Sequence, residues 1–269
     1  MDYSDFVDKL IKNAPKEITL QSDEIMSKDG TKVYCSKCGK LRWELSDSKL
    51  IRGKYWAKVL CDCEEQKRRE RERAEEVERI KNYYNQEKYT ECPGRLFKEV
   101  RFSDSFYSTL PESQNNAKER LLKYCSILDM CYARGFGFYL YSDNRGNAKT
   151  SLMSCVRNEI IENAHGCIMV SQPQVISAAR NDREFFNAIK QVKFLLFDDI
   201  GSSELKAYES MYIHEIIDYR YKNILPTCFT ANYLPIDLLN RGFEEQTTDR
   251  IKSLASIIKI EGESMRGLF

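Results

Sequence analysis

At 269 residues, with 42% hydrophobic and 31% charged side chains, the chain has enough apolar material for one large domain, or one domain plus a small module. Its formal charge of +1 sets up no whole-chain field toward nucleic acid or membrane, so any such partner must use a local patch. No apolar run approaches the ~18 residues of a membrane span, and the acidic N-terminus lacks the layout of a signal peptide; a cytoplasmic protein with no membrane partner is expected.

Residues 3–13 place Phe6, Leu10 and Ile11 on one helical face. From 33 to 63, short strand-like pieces alternate with polar turns around four cysteines. Cys35 and Cys38 are followed after 22 residues by Cys61 and Cys63. Two thiolate pairs on tight turns suit a tetrahedral Zn2+ ion with every position filled, which makes the metal structural. Gly39 shapes the first turn, and Lys37 and Lys40 add positive charge that favours thiolate. In a cytoplasmic chain, clustered cysteines indicate metal rather than disulfides. Cys92, Cys125, Cys131, Cys155, Cys167 and Cys228 are scattered, mostly in apolar or amphipathic runs where a reduced cysteine acts as a small hydrophobe.

Residues 64–82 carry seven acids and seven bases and read as a solvated connecting helix. The pairs Glu64–Arg68, Glu65–Arg69 and Glu75–Arg79 have the favourable i,i+4 polarity, each contributing roughly 0.2–0.5 kcal/mol. Three segments are therefore expected: an N-terminal helix and zinc module over 1–63, a charged linker over 64–92, and an α/β domain over 93–269.

In that last segment an amphipathic helix is expected over 114–134, a strand over 136–141 and a helix over 149–162. Strands at 166–170, 192–199, 226–232 and from "SIIKIEG" alternate with helices over 173–190 and 205–222. Strands separated by helices imply a parallel sheet with helices on both faces. "GFGF" at 135–138 precedes a strand rather than following one, so it is not a dinucleotide fingerprint. His165 and His214 fit no nucleophile or metal pattern.

The turn "YSDNRGNAKTSL" sits where a phosphate-binding loop would. Such a loop needs Gly-x4-Gly-Lys-Ser/Thr between strand and helix, so that backbone N–H groups curl round phosphate. Here Asp143 and Ala148 replace the two glycines, while Gly146, Lys149 and Thr150 remain; Gly146, Asn147 and Ala148 are the loop residues expected beside Lys149 and Thr150 at the nucleotide. A like charge about 5 Å from phosphate would cost roughly 3 kcal/mol at an effective dielectric near 20, unless Asp143 turns outward. The added methyl of Ala148 crowds the backbone. Weak nucleotide affinity, slow or lost turnover, or both are expected. A second apolar run, "VKFLLFDD", ends in Asp198 and Asp199, 49 residues after Lys149. A strand-end carboxylate can hold Mg2+, and a neighbouring acid can polarise the attacking water. A third, "LPTCFTANY", leads to Asn232, whose amide can point at the γ-phosphate or its water.

The loop, the "FLLFDDIG" and "LPTCFTANY" strands and the ending "TDRIKSLASIIKIEGESMRG" resemble AAA+ helicase loaders of the DnaC/DnaI type. The cysteine module and charged linker are similar to the DnaI side of that family, and the core to transposition ATPases of the IstB type. The resemblance implies an AAA+ ATPase domain that binds ATP and Mg2+. It assigns phosphate and Mg2+ contacts to Lys149 and Thr150, a Mg2+ contact to Asp198, the catalytic acid to Asp199 and the polar sensor to Asn232. It further makes Arg250 a finger toward a neighbouring subunit and Arg266 a second sensor. The implied partners are a replicative hexameric helicase, single-stranded DNA and further copies of the chain. Two alternatives stay open: an adaptor that recruits helicase without hydrolysis, and a transposition-type ATPase.

Overall fold

The computed structural model describes residues 15–48, 53–86, 89, 92–262 and 264–265; the helix expected over 3–13 and Arg266 lie outside them. Contacts divide the chain into two units, Met1–Glu75 and Glu76–Phe269, each described by itself.

The first unit holds an antiparallel sheet of β1 (Glu24–Met26), β2 (Lys32–Cys35), β3 (Leu41–Ser48) and β4 (Gly53–Lys58), in that spatial order. Alternation along β2 buries Val33 and Cys35. Trp56, Cys61 and Arg42 complete a core too small to hold a sheet of this size by apolar burial alone. Helix α1 (Asp62–Tyr84) starts directly after Cys61 and buries none of its side chains. Of the expected charge pairs, Glu65–Arg69 forms at 2.9 Å. Glu64 departs from Arg68: it faces Lys58 at 3.2 Å and the buried Arg42 at 3.7 Å. Glu75 meets Arg71, at 2.8 Å, rather than Arg79. Both Arg71 and Glu75 are exposed, so that choice of partner carries little energy.

In the second unit, five parallel strands run in the order β6-β7-β8-β5-β9: β5 (Gly137–Tyr141), β6 (Cys167–Ser171), β7 (Phe194–Ile200), β8 (Thr227–Ala231) and β9 (Ala255–Lys259). The strands read as near-continuous apolar runs because both faces are covered. One face sends Tyr139, Val170, Phe197 and Phe229 against α5 (Gln172–Asn181), α6 (Arg183–Gln191) and α7 (Ala207–Lys222). The other sends Phe138, Leu140, Met169 and Leu196 against α2 (Glu112–Cys125) and α4 (Lys149–Glu162). Cys92, Cys131, Cys155, Cys167 and Cys228 are buried in this second cluster, as small hydrophobes.

The helix expected over 114–134 is two helices, α2 and α3 (Leu128–Arg134). The Ser126 hydroxyl bonds back to the Lys123 carbonyl where the first ends. Asp182 likewise separates α5 from α6, accepting from the Phe185 N–H. The "GFGF" glycine has a packing reason: a Cβ at Gly137 would come within 1.8 Å of the Thr227 carbonyl oxygen, so only glycine lets β5 lie beside β8 there. Arg220, fully buried, donates to the carbonyls of Lys190, Val192 and Pro226 and to Thr227 Oγ1, tying the end of α6 to the starts of β7 and β8. Burial pushes its pKa down to about 9.

Candidate functional site

Strand order creates the site. Because β8 lies between β5 and β7, the residue after β8 stands between the loop after β5 and the carboxylates at the end of β7. In an open parallel sheet, ligands bind at these carboxyl ends. The loop ends at Ala148, which takes a left-handed conformation with φ 59° as the residue before α4. Gly146 is also left-handed, at φ 84°. The loop thus keeps a curl that favours glycine while carrying alanine at its last position, at a cost of roughly 1–2 kcal/mol. No side chain caps the first turn of α4, so its N–H groups and the positive end of its dipole suit an anion.

Lys149, 8% exposed, donates from Nζ to the Asn144 carbonyl at 3.1 Å and to Asn232 Oδ1 at 2.8 Å. Asn232 Nδ2 in turn donates to Asp199 Oδ1 at 2.9 Å. The ammonium, the amide and the carboxylate therefore form one connected chain. Beside it, Thr150 Oγ1 lies 3.1 Å from each Asp198 oxygen. A cavity of ≈ 540 Å³ is lined by residues 145–151 together with Leu96, Phe97, Asp199, Ser202 and Asn232. Asp198 does not line it but stands behind Thr150.

The end of β7 is irregular, and the irregularity aims its acids. The register with β8 shifts between Phe197 and Ile200, and Asp199 is left-handed at φ 52°. Thr230 Oγ1 holds both acids: it donates to Asp198 Oδ1 at 2.6 Å and accepts from the Asp199 N–H at 2.7 Å. Burial raises the Asp198 pKa to about 6, against the opposing hydrogen bonds from Thr230 and Thr150, with Asp199 adding repulsion. A buried carboxylate poised against its own ionisation, touching a hydroxyl, is a donor pair that fits a hard divalent cation.

Asn147 lines the cavity, but its side-chain amide is directed elsewhere, to Ser142 Oγ at 2.8 Å and the Gly262 carbonyl at 3.1 Å. Asp143 is exposed, hydrogen-bonds the Tyr141 hydroxyl and is not among the lining residues; it has turned outward, which removes most of the like-charge penalty expected for it. Arg250 is not at the cavity. It pairs with Asp218 at 2.7 Å and reaches His214 Nε2 at 3.2 Å. Leu96, Phe97, Arg145, Ser202 and Thr230 escaped sequence reasoning. Only Arg145, inside the loop, carried a local signal.

In the first unit, the sulfur atoms of Cys35, Cys38, Cys61 and Cys63 lie within 4.8 Å of one another. Four sulfurs around one tetrahedral ion at ~2.3 Å require separations near 3.8 Å, so the set needs only small closure. The Lys40 backbone N–H lowers the Cys38 pKa, whereas Cys63 is pushed up to about 11, first by its hydrogen bond with Cys38. One thiolate thus opposes the next, a conflict that a cation would relieve. Arg42, buried beneath them, donates to Cys61 Sγ at 3.3 Å and to both Asp23 oxygens.

The fold, a parallel sheet flanked by helices, matches that of solved AAA+ helicase loaders. No family model matches the chain. Its relatives are replicative helicase loaders. It is 28% identical to the loader DnaI of Bacillus subtilis over 151 residues, 49% of this chain and 48% of that protein. To the loader DnaC of Escherichia coli it is 22% identical over 149 residues, 52% of this chain and 59% of that protein. The chain thus spans about half the length of the curated relatives it matches. Among solved structures, DnaI superimposes with a TM-score of 0.53 at 23% identity, covering 64% of this chain and 93% of that one. The DnaC helicase loader gives 0.51 at 23%, covering 56% and 92%. In fold the chain is similar to the DnaC and DnaI helicase loaders.

The raised Asp198 pKa predicts a pH signature in the ligand-free protein. The folded state keeps this proton up to about pH 6, while the unfolded chain loses it near 3.8. This group's contribution is complete below 3.8 and lost as pH rises to about 6, by up to about 3 kcal/mol. Urea titrations from pH 4 to 6.5 should show Asp198→Asn gaining on wild type as pH rises; a constant difference would contradict the assignment.

Proposed function

We propose that this chain is a cytoplasmic replicative helicase loader: it binds ATP with Mg2+, associates with copies of itself, and brings a replicative hexameric helicase onto single-stranded DNA. The observation that supports this most is the run Lys149–Asn232–Asp199 lining one cavity, with Thr150 beside it and Asp198 bonded to Thr150 from behind. The loader names of its relatives supply the partner and the task. Among the described residues no helix is long and apolar enough to cross a membrane.

Lys149 exchanges its contact with Asn232 for phosphate oxygens, with the N–H groups of Gly146 to Thr150 around them. Bound Mg2+ would neutralise phosphate charge, held through Thr150 and Asp198. The freed Asn232 amide and Asp199 then share the attacking water, the amide orienting it and the carboxylate accepting its proton. Ala148 stiffens and crowds the loop, so turnover is slow rather than absent. Arg250 acts on a neighbouring subunit after leaving Asp218, and Arg266 acts as second sensor. Engagement of helicase falls to the first unit and the charged helix. That unit holds one structural Zn2+ on Cys35, Cys38, Cys61 and Cys63, with Arg42 offsetting thiolate charge.

Two experiments test this reading. Binding of a fluorescent ATP analogue should depend on Mg2+, and Lys149→Ala should weaken it about tenfold or more, the scale of a lost charge-assisted contact, with a parallel loss of helicase loading. If Lys149→Ala alters neither binding nor loading, the reading fails. Metal analysis should find one zinc per chain, and EDTA should unfold the first unit while the second keeps its melting transition. Absence of zinc, or an EDTA-resistant first unit, would remove the metal from the account.

A further inference from the structure

The phosphate loop is fastened from outside the cavity by residues that follow β9. Ile260 continues the ladder, its N–H donating to the Tyr141 carbonyl at 2.7 Å. The Glu261 N–H then bonds Ser113 Oγ on α2 at 2.8 Å. The next carbonyl, that of Gly262, accepts from two loop side chains, Asn144 Nδ2 at 2.9 Å and Asn147 Nδ2 at 3.1 Å. The Met265 N–H donates to the Gly146 carbonyl at 2.9 Å. The Met265 side chain is buried in the same apolar cluster as Ala148.

These bonds bear on the direction of backbone dipoles. In a trans peptide the C=O and N–H point opposite ways. With the Gly146 carbonyl held outward by Met265, the N–H of Asn147, in the same peptide group, points away from the strap. A carbonyl turned toward the cavity would instead oppose an anion. Asn147 is 1% exposed, and its amide joins Ser142 Oγ at the end of β5 to Gly262 on the strap. This grip holds a loop that carries alanine, in a left-handed conformation, where the motif has glycine.

We infer that the segment after β9, through Gly262 and Met265, is a strap that sets the phosphate loop in its anion-binding curl, with Asn147 as the positioning residue. The inference rests on the nucleotide reading of the cavity and adds to it a device that acts from behind the loop. Gly262 has φ 107°, a conformation side chains rarely adopt, so Gly262→Ala moves the carbonyl that both asparagines hold. Asn147→Asp keeps the size of the side chain but removes its N–H donors.

The test is a mutant cycle in the full-length chain with two readouts. Asn147→Ala, Asn147→Asp and Gly262→Ala should each weaken binding of the fluorescent ATP analogue about tenfold, and Asn147→Ala/Gly262→Ala should lose clearly less than the sum of the two single losses, because both remove the Asn147–Gly262 contact. Without nucleotide, amide exchange over 143–149 should quicken in each variant while β7 amides stay protected. The gentler Asn144→Ala, at an exposed position, should show the same quickening to a smaller degree if a Gly262 variant does not fold. Fully additive losses, or unchanged affinity and unchanged loop exchange, would overturn the strap. If wild type binds no nucleotide, the proposed function fails and the exchange data alone decide the strap, which stands only if the loop amides quicken.

Discussion

The hydrogen-bonded run from the Lys149 ammonium through the Asn232 amide to the Asp199 carboxylate depends on one topological fact, the seating of β8 between β5 and β7. Were β5 and β7 direct neighbours, lysine and carboxylate could meet as a closed ion pair. With an amide between them, the cation stays close to the acids yet keeps a neutral partner that anionic oxygens can replace. Thr230, also on β8, fixes the two acids from the other side by donating to one and accepting from the backbone of the next. A single strand therefore spaces the charges, supplies the bridging amide and shapes the irregular end of β7.

The first unit solves a different problem with similar chemistry. Its apolar core is small, and polar groups fill the rest: a buried guanidinium beneath four sulfurs, flanked by Asp23, Glu24 and Glu64. Such a centre is costly to desolvate and gains its stability only when every member is paired. That is why Glu64 leaves the helical ladder of α1. Sequence spacing pairs it with Arg68, yet in the first turn of the helix it stands over the one buried cation among the described residues of this unit.

Much of the candidate site was legible because its groups stand just beyond apolar runs or at the start of the helix that follows one. Lys149 and Thr150 open a helix after a strand, Asp198 and Asp199 end "FLLF", and Asn232 follows "TCFTA". Periodicity and run length locate strand ends without any knowledge of how the strands are ordered. What stayed hidden depends on that order or on contacts between distant segments. Thr230 looked like an ordinary strand residue until β8 was placed beside β7. Leu96 and Phe97 carry no motif and reach the cavity only through the path of the chain before α2. The outward turn of Asp143 follows from its bond to Tyr141, two residues back, which spacing alone does not favour over an inward one. Breaks such as those at Ser126 and Asp182 were missed because apolar periodicity continues across them.

The central claim is that the first turn of α4 and the end of β7 face a single bound phosphate group and its metal. Crystals grown with Mg2+ and a non-hydrolysable ATP analogue test it most directly. The account predicts phosphate oxygens within hydrogen-bonding distance of Lys149 Nζ, the lysine released from Asn232, and a metal ion reached by Thr150 Oγ1 in front of Asp198. Nucleotide density elsewhere on the chain, with Lys149 still bonded to Asn232, would contradict it.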